Sequence, residues 1–338
     1  MTSKLLQTAR SAALSIALAA LASCGGGGGG GNSLPPVQAG GGGPPVPTAP
    51  LGLTSANMQD VAAGATLAGL GTSSLSTLLD GASAMSALAT APALVRTHVF
   101  TGFIKQQIDQ LTQHLQTTPG RLIAAALAPP ACSSGSATVS DNGPDSVTET
   151  FIACSPEAGV SLDGTITASN MAVDPGVSFS GSVTINLVLK QTGLADMTFT
   201  GNNVSVLETI NVSVGTFRLS GQAVFTTTAT VTERLGNFTL MTSFDGTTET
   251  DEVAFEYAST KIGGSVNVSS VTPCVTDSAK NFPKSGVLSV TGAGGSKLRV
   301  TINGDETLAT PQLKIDLDAN GDGTFETTLN KNWSDLAG

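Results

Sequence analysis

Phe179-Ser180-Gly181-Ser182-Val183-Thr184-Ile185-Asn186-Leu187-Val188-Leu189 decides the fold. Phe179, Val183, Ile185, Leu187 and Leu189 fall on one face of an extended chain. Ser180, Ser182, Thr184 and Asn186 fall on the other. A period of two with one apolar and one hydroxyl-rich face predicts a strand of an antiparallel sheet, packed on one side and wet on the other. The same alternation recurs in Phe217, Leu219, Ala223 and Phe225, continuing through Ala229 and Val231. It returns in Val253, Phe255 and Tyr257, in Ile262, Val266 and Val268, and in Leu298, Val300 and Ile302. Gly164, Gly181, Gly201 and Gly221 each follow an apolar residue by two, at spacings of 17, 20 and 20. That interval suits a meander of similar hairpins, with in-strand glycines marking bends or bulges. Asn142-Gly143, Gly236-Asn237, Asp245-Gly246 and Asn303-Gly304 read as its turns.

Ahead of the strands the period is 3.6. Thr54 or Ser55 can cap a weak helix towards Leu70, broken up by Gly64 and Gly69, and a second weak piece covers 75–88. A stronger helix begins at Pro92 and runs to about Thr117. Val95, Val99, Phe103, Ile104, Ile108, Leu111 and Leu115 recur at helical spacing, and Lys105, Gln106, Asp109, Gln110 and Gln113 fall largely opposite. The expected fold is α+β, with N-terminal amphipathic helices packed on a large curved antiparallel meander. A two-sheet β-sandwich is the alternative. The scarcity of aromatic residues argues against a transmembrane barrel, which needs aromatic girdles.

The first residues set the compartment. Lys4 and Arg10 precede a short apolar run, 12–22, which reads as a signal-peptide core. Leu21-Ala22-Ser23-Cys24 resembles the bacterial lipobox. The resemblance implies lipid on Cys24, an outer-membrane lipoprotein facing the periplasm or the cell surface, and stable anchoring through several acyl chains. Seven glycines, Leu34-Pro35-Pro36 and a further Gly- and Pro-rich stretch follow, a tether with an r.m.s. span of roughly 30 Å. The expected divisions are 1–23 signal, 24–52 tether, 53–128 helical segment and 129–338 β domain. The whole resembles uncharacterised proteobacterial lipoproteins.

Cleavage before Cys24 removes two basic residues and no acid, moving the formal net charge from −10 to −12. With no basic run, nucleic acid is excluded as a partner. One Trp and one Tyr make stacking platforms for sugars or bases scarce. Folding the 136–152 hairpin about its turn brings Cys132 almost opposite Cys154, so these two are expected to form a disulfide. Cys274 is left as a buried, inert thiol.

Asp316-Leu317-Asp318-Ala319-Asn320-Gly321-Asp322-Gly323-Thr324-Phe325-Glu326 is the one dense run of oxygen ligands. Calcium takes six to eight oxygens, supplied by alternating side chains around a glycine turn. From Asp318 the run resembles the D-x-[DN]-x-D-G-x-x-[DE] loops of extracellular calcium proteins. That resemblance implies side-chain ligands Asp318, Asn320, Asp322 and Glu326 and the carbonyl of Thr324. From Asp316 it resembles an EF-hand loop, but position twelve is then Thr327 rather than an acid. Alternation in Leu313, Ile315 and Leu317 places the loop at a β-hairpin tip.

His98 and His114 lie sixteen residues apart on one expected helix and point about 160° away from each other, so they share no metal. Asp251-Glu252 reads as solvated charge on opposite strand faces. No nucleophile elbow, P-loop or dinucleotide fingerprint is present. The expectation is a non-catalytic, lipid-anchored structural or interaction module, with calcium as its candidate ion and a protein or lipid as ligand. The alternatives are a lipid or lipoprotein carrier, whose half-barrel the architecture resembles, and a carboxylate-based hydrolase.

Overall fold

The computed structural model describes residues 43–70 and 132–336, except 144, 156–158, 175–177, 194, 210–214, 246, 278–279, 281, 306 and 310. The lipobox with Cys24, most of the tether, the expected helix over 92–117 and both histidines lie outside the described residues.

The chain is predominantly antiparallel sheet. Its strands are β1 (Ser134–Gly143), β2 (Ser146–Ser155), β3 (Val160–Asp174), β4 (Ser178–Gln191), β5 (Met197–Thr209), β6 (Gly215–Thr227) and β7 (Thr232–Phe244). They continue as β8 (Thr248–Ser259), β9 (Gly264–Asp277), β10 (Ser285–Thr291), β11 (Lys297–Ile302), β12 (Leu313–Asp318) and β13 (Thr327–Lys331). Two α-helices are described, α1 (Met58–Leu70) and the single turn α2 (Trp333–Leu336), with a short 3-10 turn at Ala293–Gly295.

All thirteen strands form one sheet in strict sequence order. The two-sheet sandwich is therefore overturned: every strand continues the ladder of the one before it, and none changes sheet. The alternation that defined the meander sorts the residues as expected. Ile185 pairs with Ile166, Leu187 with Phe199 and Leu219 with Leu240, all buried on one face. Strand ends differ in places. Ala229 and Val231 lie in the connection after β6, and Ile262 in the turn before β9. Asn303-Gly304 opens a longer loop between β11 and β12.

Bends fall at glycine, as expected, and at asparagine: Gly164, Gly181 and Gly201 each lie at or beside a shift in the strand register, as do Gly135 and Gly286. Asn170, Asn203, Asn237 and Ala153 hold positive φ, each at a shift in the strand register. An extra residue in one strand bends it and increases its twist, and asparagine tolerates the left-handed conformation that the bulge needs. Gly236-Asn237, expected as a turn, is such a bulge inside β7.

The weak helix before Leu70 forms, one turn later than the expected caps. Asn57 precedes it and ties back to Gly52 O (2.9 Å) and Thr54 N (2.9 Å). α1 packs on β8–β12 and is buried nearly all the way round. Gly64, which weakens the helix locally, permits that packing: a Cβ there would lie 2.5 Å from the Tyr257 ring and hydroxyl. Helix propensity gives way to close approach.

The fold also begins earlier than expected. Ala49 to Gly52, assigned to the tether, are bound in. Ser265 N donates to Ala49 O (2.9 Å), Leu51 N to Ser265 O (2.8 Å) and Ala293 N to Leu51 O (2.8 Å).

Candidate metal loop

β12 and β13 run antiparallel up to Leu317 paired with Thr327, and the nine residues 318–326 join them. Asp318, the last residue of β12, is fully buried and organises the loop from below. Its two oxygens accept from Gly321 N (2.7 Å) and Gly323 N (2.9 Å). Both glycines hold positive φ, 76° and 91°. Gly321 also has no room for a Cβ, which would sit 2.8 Å from the Gly295 carbonyl. Above this base, Asn320 Oδ1 accepts from Asp322 N (2.9 Å), and Asp322 Oδ1 accepts from Thr324 N (2.7 Å). Asn320 Nδ2 donates to Asp322 Oδ2 (3.0 Å), and Ala319 N donates to Glu326 Oε2 (3.2 Å). The Thr324 N–H, then the Asn320 amide, hold the Asp322 carboxyl below the usual carboxylate range.

These contacts converge three carboxylates. One oxygen each from Asp318, Asp322 and Glu326 lie within 4.8 Å of one another. A calcium ion with oxygens at about 2.4 Å places opposite ligands about 4.8 Å apart and neighbours closer, so the donor set and spacing fit a hard divalent cation. Each oxygen that accepts one N–H retains a second lone pair. Asn320 joins the group through Asp322, and Thr324 enters through its N–H.

Asp316 stands apart. It accepts from Arg299 Nη2 (2.8 Å) and Thr328 Oγ1 (2.7 Å) and pairs with Lys314 Nζ (2.9 Å). Burial works against its charge, yet the bonds from Thr328, Arg299 and Lys314 prevail and leave its carboxyl below the usual range. Arg299 also lies over the Phe325 ring, 4.3 Å from its centroid. This acid anchors the base of the hairpin, so the register that starts the loop at Asp316 loses its first ligand.

The loop sits beside the place where the chain joins the fold. Gly321 rests on the β10–β11 turn, and that turn holds residues 51–53 through Ala293 N to Leu51 O and Leu53 N to Ser296 Oγ (3.1 Å). Carboxylate loop, turn and N-terminal strap therefore share one end of the sheet.

Cys132 and Cys154 form a disulfide with their Cα atoms 5.2 Å apart. Cys274 is buried and free, and burial, then the Asp251 charge, push its thiol up to about 12. Asp251 itself corrects the reading of Asp251-Glu252 as solvated. It is fully buried and accepts from Thr242 Oγ1 (2.8 Å), while Glu252 is exposed on the opposite face. Glu149, Glu208, Glu233 and Glu249 also occupy core-face positions, and Glu233 accepts the Tyr257 hydroxyl (2.6 Å). The signal was available in the sequence: Asp251 is in phase with Val253, Phe255 and Tyr257. No protein-family model matches this chain, and no curated protein or solved structure is significantly similar to it.

Proposed function

We propose that this chain is a lipid-anchored, extracytoplasmic structural or interaction module without catalytic activity, and that its β12–β13 loop takes up calcium. On this reading the Cys24 lipid holds the module at the outer membrane, and helical segment 53–128 packs as a whole with β domain 129–338. The observation that carries the calcium assignment is the convergence of Asp318, Asp322 and Glu326 on one point. Asp318, Asn320, Asp322 and Glu326 would hold the ion with the Thr324 carbonyl, and Asp316 would serve as the Arg299 and Lys314 partner. The ion's role is structural. It would neutralise three clustered carboxylates and stiffen the loop against the β10–β11 turn and the strap that leads to the anchor.

The test uses the full chain in its bacterial host. Metabolic labelling with a fatty acid should mark the protein and fail in Cys24→Ala. An unlabelled native chain refutes the anchor. For the ion, the purified chain should melt higher with millimolar calcium than with EDTA. Asp322→Asn should remove that difference while leaving the EDTA melting temperature nearly unchanged. Equal melting in calcium and EDTA refutes the calcium role.

A further inference from the structure

The sheet is open, and its two edges differ. β13 is five residues long, ends on Lys331 and leads into α2. There Trp333 is tied down, its backbone N–H donating to Gln312 Oε1 (3.0 Å) and its Nε1 to Gly304 O (3.0 Å). Short length and a lysine are ordinary means of keeping an edge from pairing. β1 has neither. It is ten residues long, and among the described residues only β2 pairs with it. From Ser134 to Ser140 it holds no charge and no proline, only Ser, Gly, Ala, Thr and Val.

This edge is held in strand geometry from both ends. The Cys132–Cys154 disulfide lies just before it, and Ser133 N and Oγ both donate to Ser155 O (2.6 and 2.7 Å). At the far end Asn142 Nδ2 donates to Thr148 Oγ1 (2.6 Å). Between them, residues 136–141 keep unbroken register with β2. A strand already fixed in shape loses little freedom when it pairs. Apolar surface lies beside it. Ile152, opposite Ser136, is 59% exposed, and Ala137 and Val139 are only half-buried although Ala137 faces buried Phe151.

The alternation of faces selects the occupant. Ala137 lies on the inner face with Phe151, and Thr138 on the outer face with Thr150. Residues directly opposite in an antiparallel pair share a face, so an incoming strand has to repeat this order. A second β1 does so when it is centred on Thr138. Thr138 then meets its own copy, Ser136 meets Ser140, and Ala137 meets Val139. Hydroxyls face hydroxyls outside, apolar groups face apolar groups inside, and no charge has to be matched. In a chain of formal net charge −10, such an uncharged strip lets two copies approach. The contact is isologous and closes at two copies.

We propose that β1 is a self-pairing edge, through which two copies of this chain join antiparallel about Thr138 into one continuous sheet. Residues 136–140 form a seam about 17 Å long and about 10 Å thick, which buries about 350 Å² over the two copies. Stable interfaces start at about 1,200 Å², so the dimer is a reversible one. The inference goes beyond the anchor and the calcium loop and depends on neither.

The experiment is photo-cross-linking of the full chain in its host, with benzoylphenylalanine in place of exposed Thr138. A dimer-sized product joined through the β1 peptide of a second copy is expected. Cross-links to the chain's own residues, to another protein or to lipid overturn the proposal, as does a variant that melts like the parent and forms none. A second measurement needs no bulky probe: sedimentation equilibrium of the purified full chain in detergent. T138K places two lysines opposite each other and should raise the dimer Kd about fivefold. An equimolar mixture of T138K with T138E should return to near the parent value. A parent that stays monomeric at all concentrations, or a mixture no tighter than T138K alone, overturns the pairing.

Discussion

Gly64→Ala tests whether α1 and β8 are packed as tightly as their geometry implies. In an exposed helix this substitution stabilises by about 1 kcal/mol. Here the new Cβ would lie 2.5 Å from Tyr257 Cε1 and Oη and 2.7 Å from Cζ. Ordinary contact is about 3.5 Å or more, so the ring would have to retreat by about 1 Å. Tyr257 is 1% exposed, and its hydroxyl is held by Glu233 Oε1 at 2.6 Å. Overpacking costs about 1–3 kcal/mol, and losing that hydrogen bond costs about 1–2 more. The net expectation is a loss of about 1–4 kcal/mol. Gly69→Ala is the internal control, because its Cβ would meet the Phe255 ring at 3.1 Å and Val253 at 3.2 Å, close enough for small adjustments. That variant should fall within about 1 kcal/mol of the parent. Urea unfolding followed by far-UV circular dichroism separates the two. In a Tyr257→Phe background, Gly64→Ala should cost about 1–2 kcal/mol less, since no hydroxyl bond remains to break. A Gly64→Ala chain as stable as the parent would refute the reasoning, and so would an unchanged cost in the Phe background.

Burial raises Glu149 from 4.5 to about 7, so its ionisation opposes folding. No penalty exists below pH 4.5. The penalty grows as the pH rises and is complete above about 7, so Glu149→Gln should gain up to about 3 kcal/mol over the parent there and nothing at pH 4. Urea midpoints at the two pH values check it, and equal gains at both refute it. Replacing Cys132 and Cys154 by serine opens a loop with a separation of 22 residues and should cost about 3 kcal/mol by loop entropy. A midpoint unchanged from the parent would mean that β1 holds without the bridge. Cys274 should resist iodoacetamide at pH 8 in the native protein and react fully in urea, because its thiol is pushed up to about 12. Rapid native alkylation, read by intact mass, would contradict its burial.

The sheet was legible because its signal is simple. Period-two alternation in Ile185, Leu187 and Leu189 admits one local structure, and short connections leave few pairings for a neighbour to adopt. The Cys132–Cys154 pairing followed from the same hairpin geometry. The bulges were legible in part: Gly164, Gly181 and Gly201 lie at shifts in register, but the left-handed residues there were not foreseen. Three rest on asparagines whose left-handed conformation is imposed by register, and nothing local marks Ala153 as a fourth. α1 was undervalued because Gly64 and Gly69 carry a penalty in an isolated helix, and only the facing β8 rings turn it into a fit. In the loop, the run of acids was visible, but its sorting was not. Asp316 is set apart from Asp318 by Arg299 and Lys314, one on the adjacent strand and one on its own, and that choice exists only once register is fixed.

The strict strand order has a consequence for the sequence of events in folding. Each hairpin needs only residues that have just emerged, so the sheet can grow from β1 onward without waiting for a distant strand. α1 breaks that economy. It precedes every strand, yet it packs on β8–β12, the last large block to appear. Throughout synthesis, Met58, Val61 and Leu70 therefore remain without their final neighbours, and the first of the described helices is enclosed only late. During that interval the glycines that later admit Tyr257 and Phe255 keep α1 a poor helix, and a segment that is slow to become regular has little surface on which to misassemble.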